Sequence, residues 1–249
     1  MLKAGLVSIT FRKLEPARIV RLCVESGLAG IEWGGDIHAP HGDTARAREV
    51  GEMTRDNGLA VAAYGSYYRA GHDEVDFDAV LESALAMQAS LVRVWAGRRS
   101  SDDSDAAYRE TVTEDLRSIC EKCLREGIKV ATEWHGRTLT DTAESARALF
   151  RQVNHPNLRT YWQPRAGGTP EDCLRDMQAA LPHLAGVHVF HWRPQSGERL
   201  PLADGENIWP EYLAGAAGNT DGYALLEYVR DDDPAQLARD ALVLRRWLS

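Results

Sequence analysis

The chain reads as a single α/β domain, a (β/α)8 barrel over residues 1–249. Three observations predict it. Eight short apolar runs recur along the chain. Amphipathic helical stretches lie between them, an alternation that argues a parallel sheet covered by helices. The length, 249 residues, is near that of one such barrel.

The apolar runs place strands at 3–9, 30–34, 60–65, 91–96, 129–133, 158–163, 186–190 and 223–228. The first helix, 16–25, opens on Pro16 and carries Ile19, Val20, Leu22 and Cys23. The second, 45–57, stops at Asn57-Gly58. Helices at 77–88, 108–126, 141–152, 171–180 and 234–248 follow, with a short one at 209–213. No glycine-rich dinucleotide fingerprint follows the first strand, which argues against an open Rossmann sheet. The longest irregular segments, 97–105 and 193–208, both come after strands, on the side where barrel active-site loops lie.

A net charge of −8 disfavours a nucleic-acid surface. No apolar run is long enough to span a bilayer. The opening Met-Leu-Lys-Ala-Gly-Leu-Val reads as a first strand rather than a signal peptide, so a cytoplasmic protein is the default expectation. Oligomeric state is open, a homo-oligomer included. Cys120 and Cys123 form a C-x-x-C within a helical pattern; both fall on its apolar face and read as small core residues ahead of a redox or zinc pair.

The chemistry gathers at strand ends. Glu133 closes strand five, Gln163 strand six, His188 lies near the end of strand seven, and Glu227 near that of strand eight. A parallel barrel brings its strand ends to one mouth, so these four can meet around one ion. Alternation along each strand supports this: Glu133 shares a face with Ala131, Gln163 with Tyr161, and Glu227 with Leu225. Two carboxylates at the ends of apolar strands are costly unless compensated, and a divalent cation compensates them. An oxygen-rich set with one nitrogen suits Mn²⁺ or Mg²⁺, with Co²⁺, Ni²⁺ or Zn²⁺ as softer alternatives. Glu32 and Arg93 are both expected inward and read as a structural ion pair.

The segment Glu133-Trp-His135-Gly-Arg-Thr-Leu-Thr-Asp-Thr resembles the strand-five motif of xylose-isomerase-like sugar isomerases and epimerases. Gly30-Ile-Glu32-Trp, Gly186-Val-His188-Val and Leu-Glu227 are similar to that superfamily's other signatures, and the resemblance covers essentially the whole barrel. It implies one divalent metal held by Glu133, Gln163, His188 and Glu227, with Glu133 and Glu227 also moving the substrate proton. The departure is Gln163, where the superfamily commonly has Asp, often followed by His; here Trp162-Gln163-Pro164-Arg165 stands instead. A neutral ligand implies weaker metal binding or a more Lewis-acidic ion, and Arg165 then becomes a substrate contact.

His38, His135 and Arg193 are further substrate candidates, and His191 is a candidate support behind His188. The expected reaction is isomerisation or epimerisation of a small sugar, keto-sugar or polyol through an enediolate, with the metal as Lewis acid and a carboxylate moving the proton. The nearest alternative is dehydration of a keto-polyol at the same site, as in inosose dehydratase. More remote are an endonuclease-IV-like phosphodiesterase and a non-catalytic sugar-binding barrel.

Overall fold

The computed structural model describes residues 1–193 and 196–249. Eight parallel strands close into one barrel in chain order: β1 (Lys3–Val7), β2 (Gly30–Gly34), β3 (Ala60–Arg69), β4 (Leu91–Trp95), β5 (Lys129–Glu133), β6 (Leu158–Trp162), β7 (Leu184–Val189) and β8 (Tyr223–Leu226). The helices α1 (Pro16–Glu25), α2 (Thr44–Asp56), α3 (Phe77–Met87), α4 (Ala106–Arg125), α5 (Ala143–Val153), α6 (Pro170–Ala180), α7 (Trp209–Ala216) and α8 (Pro234–Leu248) lie between and after them. No helix among the described residues is long and apolar enough to cross a membrane.

Several expected boundaries move, each for a local reason. β1 ends at Val7 because Ser8–Phe11 turn into a 3₁₀ helix. β3 runs on to Arg69, well past its expected end. α4 starts two residues early because Asp105 caps it, its side chain accepting from Tyr108 N at 2.8 Å. α5 starts two residues late, where Thr142 is its cap. Of the expected loop 193–208, residues 194–195 lie outside the described residues; its remaining part is fastened to α8, where the buried Asp240 accepts from Leu202 N at 3.0 Å.

Side-chain alternation divides the core in two. Outward residues such as Ile31, Trp33, Val92, Val130, Trp162 and Val187 pack against the helices in one large cluster. Inward residues Val7, Ala63, Leu91, Ala131, Tyr161 and Leu225 form a much smaller one. Trp33, Trp134 and Trp162, all of outward parity, are buried. Cys120 and Cys123 are buried free thiols, and burial pushes both up to about 12, as small core residues should be.

The inner cluster is small because polar groups fill the upper barrel. Gly65 makes room for them: a Cβ there would lie 2.7 Å from Glu32 Oε1 and 2.8 Å from an Arg93 guanidinium nitrogen. A second tight approach, between α2 and α3, is at Gly51. An added Cβ would meet Met87 O at 2.4 Å. In an open helix Gly→Ala stabilises by about 1 kcal/mol. Here Gly51→Ala is expected to destabilise by about 1–3 kcal/mol through overpacking. The urea-unfolding midpoint measures it, and a rise in that midpoint contradicts the close approach.

Candidate functional site

The site is built outward from Arg93. Its side chain, 1% exposed, stands inside the barrel on β4. Nε donates to Glu32 Oε1 on β2 at 2.6 Å, and Nη1 bonds Glu133 Oε2 on β5. The expected Glu32–Arg93 pair is therefore present, and it extends into the strand-end cluster. Glu133 Oε2 takes a second hydrogen bond, from Trp95 Nε1 at 2.6 Å. Glu32 uses its other oxygen, Oε2, on His188 Nε2 at 3.2 Å.

That last contact orients His188. A carboxylate at Nε2 favours the proton there and leaves the Nδ1 lone pair facing the cluster. Around Nδ1 lie Gln163 Oε1 at 3.2 Å, Glu227 Oε2 at 3.5 Å and Glu133 Oε1 at 3.7 Å. One ligand atom each from Glu133, His188 and Glu227 falls within 4.8 Å of the others, and all three residues are buried. The structure thus brings together all four residues that the sequence singled out, although Gln163 and Glu227 sit one residue beyond β6 and β8.

The charges require compensation. Glu32, Glu133 and Glu227 against Arg93 leave −3 + 1 = −2 in a buried volume when His188 is neutral. A divalent cation cancels that sum. The donor set, carboxylate, imidazole and amide oxygen converging on one point, fits such an ion. Protons do part of the same work. Burial disfavours a charged imidazole, but Glu227 and Glu32 outweigh it and push His188 up to about 10. Burial and Glu133 together outweigh His188 and push Glu227 up to about 7. Glu133 goes the other way: burial opposes ionisation, yet the Arg93 guanidinium holds its carboxyl well below the usual range.

The remaining candidates are dispersed. His135 lies over the cluster's rim, stacked on Trp95 with ring centroids 4.5 Å apart. His38 is buried, with Nδ1 2.9 Å from Ser8 Oγ and its ring edge-on to Trp33. His191 packs at Gly205, away from the His188 ring nitrogens. Arg165, expected at the substrate, instead clasps Asp176 of α6 with Nε at 2.9 Å and Nη2 at 2.7 Å. Arg193 is exposed and donates to Glu198 at 2.8 Å. For both arginines a nearby carboxylate on a following loop or helix takes up the guanidinium, a contact that strand-end position alone does not reveal.

Two further residues shape the site. Trp95 holds Glu133 through its indole N–H. Tyr67 covers the site from β3, its ring 5.0 Å from the Arg93 guanidinium carbon, with a backbone φ of +56°. Inward parity of Trp95 was available as a signal; the left-handed backbone of a tyrosine was not.

Comparison with known proteins gives a consistent picture. The family model for the xylose isomerase-like TIM barrel matches residues 20–247. A 3-dehydroshikimate dehydratase of Bacillus anthracis is 27% identical over 261 residues, spanning 96% of this chain and 88% of that protein. The solved structure of the probable 3-DHS dehydratase AsbF, involved in petrobactin synthesis in Bacillus anthracis, matches with a TM-score of 0.81 at 23% identity, covering 98% of this chain and 99% of that one. A 3-keto-D-glucoside 4-epimerase from E. coli matches at 0.72 and 20% identity, with 99% of each chain covered. The two structural likenesses speak for the fold, and the expected resemblance is now met by a match over nearly the whole chain. This protein belongs to the xylose isomerase-like TIM barrel family.

Proposed function

We propose that the protein is a divalent-metal-dependent dehydratase of a small cyclic hydroxy-ketone of the 3-dehydroshikimate kind. One observation carries this reading: the two cluster carboxylates are unequal. Glu133 has one oxygen bonded by both Arg93 and Trp95, and its other faces His188. The doubly bonded oxygen is not free to carry a proton. Glu227 accepts no hydrogen bond from the described residues, its Oε2 lying 3.5 Å from His188 Nδ1, and burial pushes its carboxyl up to about 7. It is the group fitted to accept a proton and return it.

Glu133, Gln163, His188 and Glu227 would hold the ion. When bound it supplies Lewis acidity to a substrate carbonyl, making the neighbouring C–H more acidic and the resulting enolate less costly. The protein's own residues do the rest. Glu227 takes the proton from the carbon beside the carbonyl. The electron pair re-forms a carbon–carbon double bond as the β C–O bond breaks. The proton on Glu227 passes to the leaving hydroxide, and water departs. Arg93 and Glu32 keep Glu133 ionised and His188 oriented throughout. His135, stacked on Trp95 at the rim, is the histidine assigned to touch the substrate.

Elimination needs one proton carrier, whereas epimerisation needs one on each face of the carbon. The similarity to a 3-dehydroshikimate dehydratase supports the same choice. The isomerase or epimerase outcome stays as a second reading. It is favoured by the closeness of Glu133 and Glu227 within one cluster and by the epimerase among the structural relatives.

Product mass separates the two. With Mn²⁺ or Mg²⁺ and 3-dehydroshikimate, loss of one water and formation of 3,4-dihydroxybenzoate are expected. Mass-conserving deuterium exchange on a ketose, with no dehydration of 3-dehydroshikimate, contradicts the dehydratase reading. Glu227→Gln is expected to lower kcat by about 10²- to 10⁴-fold; full turnover in that variant removes Glu227 from the mechanism.

Metal affinity should rise with pH. A cation must displace the His188 proton below about 10 and the Glu227 proton below about 7. The expected apparent affinity therefore gains about one log unit per pH unit between pH 7 and 9, and more steeply below. Mn²⁺ titration against a competing chelator at several pH values measures this, and a flat profile contradicts the ligand assignment.

A further inference from the structure

We infer that Arg69 is the anchor for a carboxylate on the substrate, so that the site selects an anion over a neutral sugar. This deepens the dehydratase reading and rests on it for the identity of the reacting end of the substrate.

The placement comes from the unusual length of β3. That strand spans ten residues, Ala60–Arg69, where its neighbours β2 and β4 span five each. Its pairing with β4 slips between Gly65 and Arg69, and the strand resumes with Arg69 opposite Trp95. Ala70 N then donates to Trp95 O at 3.0 Å. Within this irregular stretch Tyr67 adopts φ +56°, a conformation disfavoured for a bulky residue and retained where surrounding structure enforces it. The result is that β3 overhangs the mouth. Arg69 lies with its guanidinium carbon 4.8 Å from the Trp95 ring centroid. The same indole donates its N–H to Glu133 at 2.6 Å. One indole thus carries a cation over its ring and a bond to the metal-binding cluster at its N–H.

Arg69 is also held more loosely than other arginines near the mouth. Arg12 is paired with Asp36, Arg98 with Glu74, and Arg199 with Asp232 at 2.6 Å. Arg69 Nη1 approaches Glu74 only to 3.6 Å, outside hydrogen-bond range, and that glutamate is already bonded by Arg98. The Arg69 Nε is buried and has no hydrogen-bond partner among the described residues. Arg99 and Arg137 pair with no carboxylate among the described residues, but both are exposed on loops, and Arg99 is stacked on Tyr108. A stacked guanidinium with a planar fork of donors left over is suited to bidentate recognition of a carboxylate. Its pre-positioning on Trp95 lowers the ordering cost of that contact.

The test pairs two ligands that can both chelate the metal, only one of which carries the anion. Isothermal titration of the Mn²⁺-loaded protein with 3,4-dihydroxybenzoate and with catechol reads the carboxylate's contribution. The unmutated protein should bind 3,4-dihydroxybenzoate about tenfold or more tightly than catechol. Arg69→Gln should erase that preference while catechol binding stays within about twofold. In turnover, Arg69→Gln should raise KM for 3-dehydroshikimate more than it lowers kcat, and Arg69→Lys should restore part of the loss. A preference for the carboxylate ligand that survives in Arg69→Gln overturns the proposal. So does equal binding, or no binding, of the two ligands by the unmutated protein. If the carboxylate preference depends on Arg69 but 3-dehydroshikimate is not dehydrated, the anchor stands and the dehydratase reading falls.

Discussion

A guanidinium buried between two carboxylates is the constraint on which the site depends. Arg93 cannot shed its charge, so Glu32 and Glu133 must stay ionised beside it. Removing one partner of such a buried arrangement typically costs about 3–5 kcal/mol, because the remaining charges are left unpaired in the interior. The fold is shaped around this need. Gly65 leaves space where any side chain would press on the pair, and the Tyr67 ring covers the guanidinium from above. One interaction then sets two properties. Through Glu32 it orients His188, and through Glu133 it makes the two cluster carboxylates chemically different.

That difference is what separates a proton-carrying residue from a positioning one. Both glutamates are buried at strand ends, and from composition alone they are equivalent. Arg93 and Trp95 aim two donors at one oxygen of Glu133, while Glu227 faces an imidazole and another carboxylate. Burial and like charge push Glu227 towards neutrality, and a fixed cation pulls Glu133 away from it. Environments that drive two neighbouring acids apart are how one site assigns distinct roles to the same residue type. Stability is supplied elsewhere, by the large outer cluster between strands and helices, which frees the inner barrel to carry charge.

Much of this was legible in the sequence because it follows from periodicity. Strand spacing gave the barrel, and alternation gave Glu133, Gln163 and Glu227 a common direction. What stayed hidden depends on contacts between segments distant in sequence. Asp176 lies on a helix beyond Arg165 and captures it; no strand-end argument anticipates that bond. The overhang of β3 is hidden for a different reason. Ala-Val-Ala-Ala-Tyr-Gly-Ser-Tyr-Tyr-Arg is apolar and aromatic enough to be one long strand, but its irregularity rests on a tyrosine in a backbone region usually left to glycine. The Glu32–Arg93 pair was anticipated as structural, and its bonds to Glu133 and His188 show that structure and chemistry are continuous here.

The amide at position 163 takes on a different meaning once Glu32 and Arg93 are counted with the cluster. Three carboxylates and one guanidinium already balance a divalent cation when His188 is neutral. A further aspartate at the Gln163 position would leave one uncompensated negative charge in a buried site, a costly excess. A glutamine contributes an oxygen at the correct place, 3.2 Å from His188 Nδ1, without that excess. It also spares Glu227 another like charge, which would push its carboxyl up further. On this reasoning Gln163 completes an electrically neutral site, and its neutrality is a property of the whole inner barrel rather than of strand six alone.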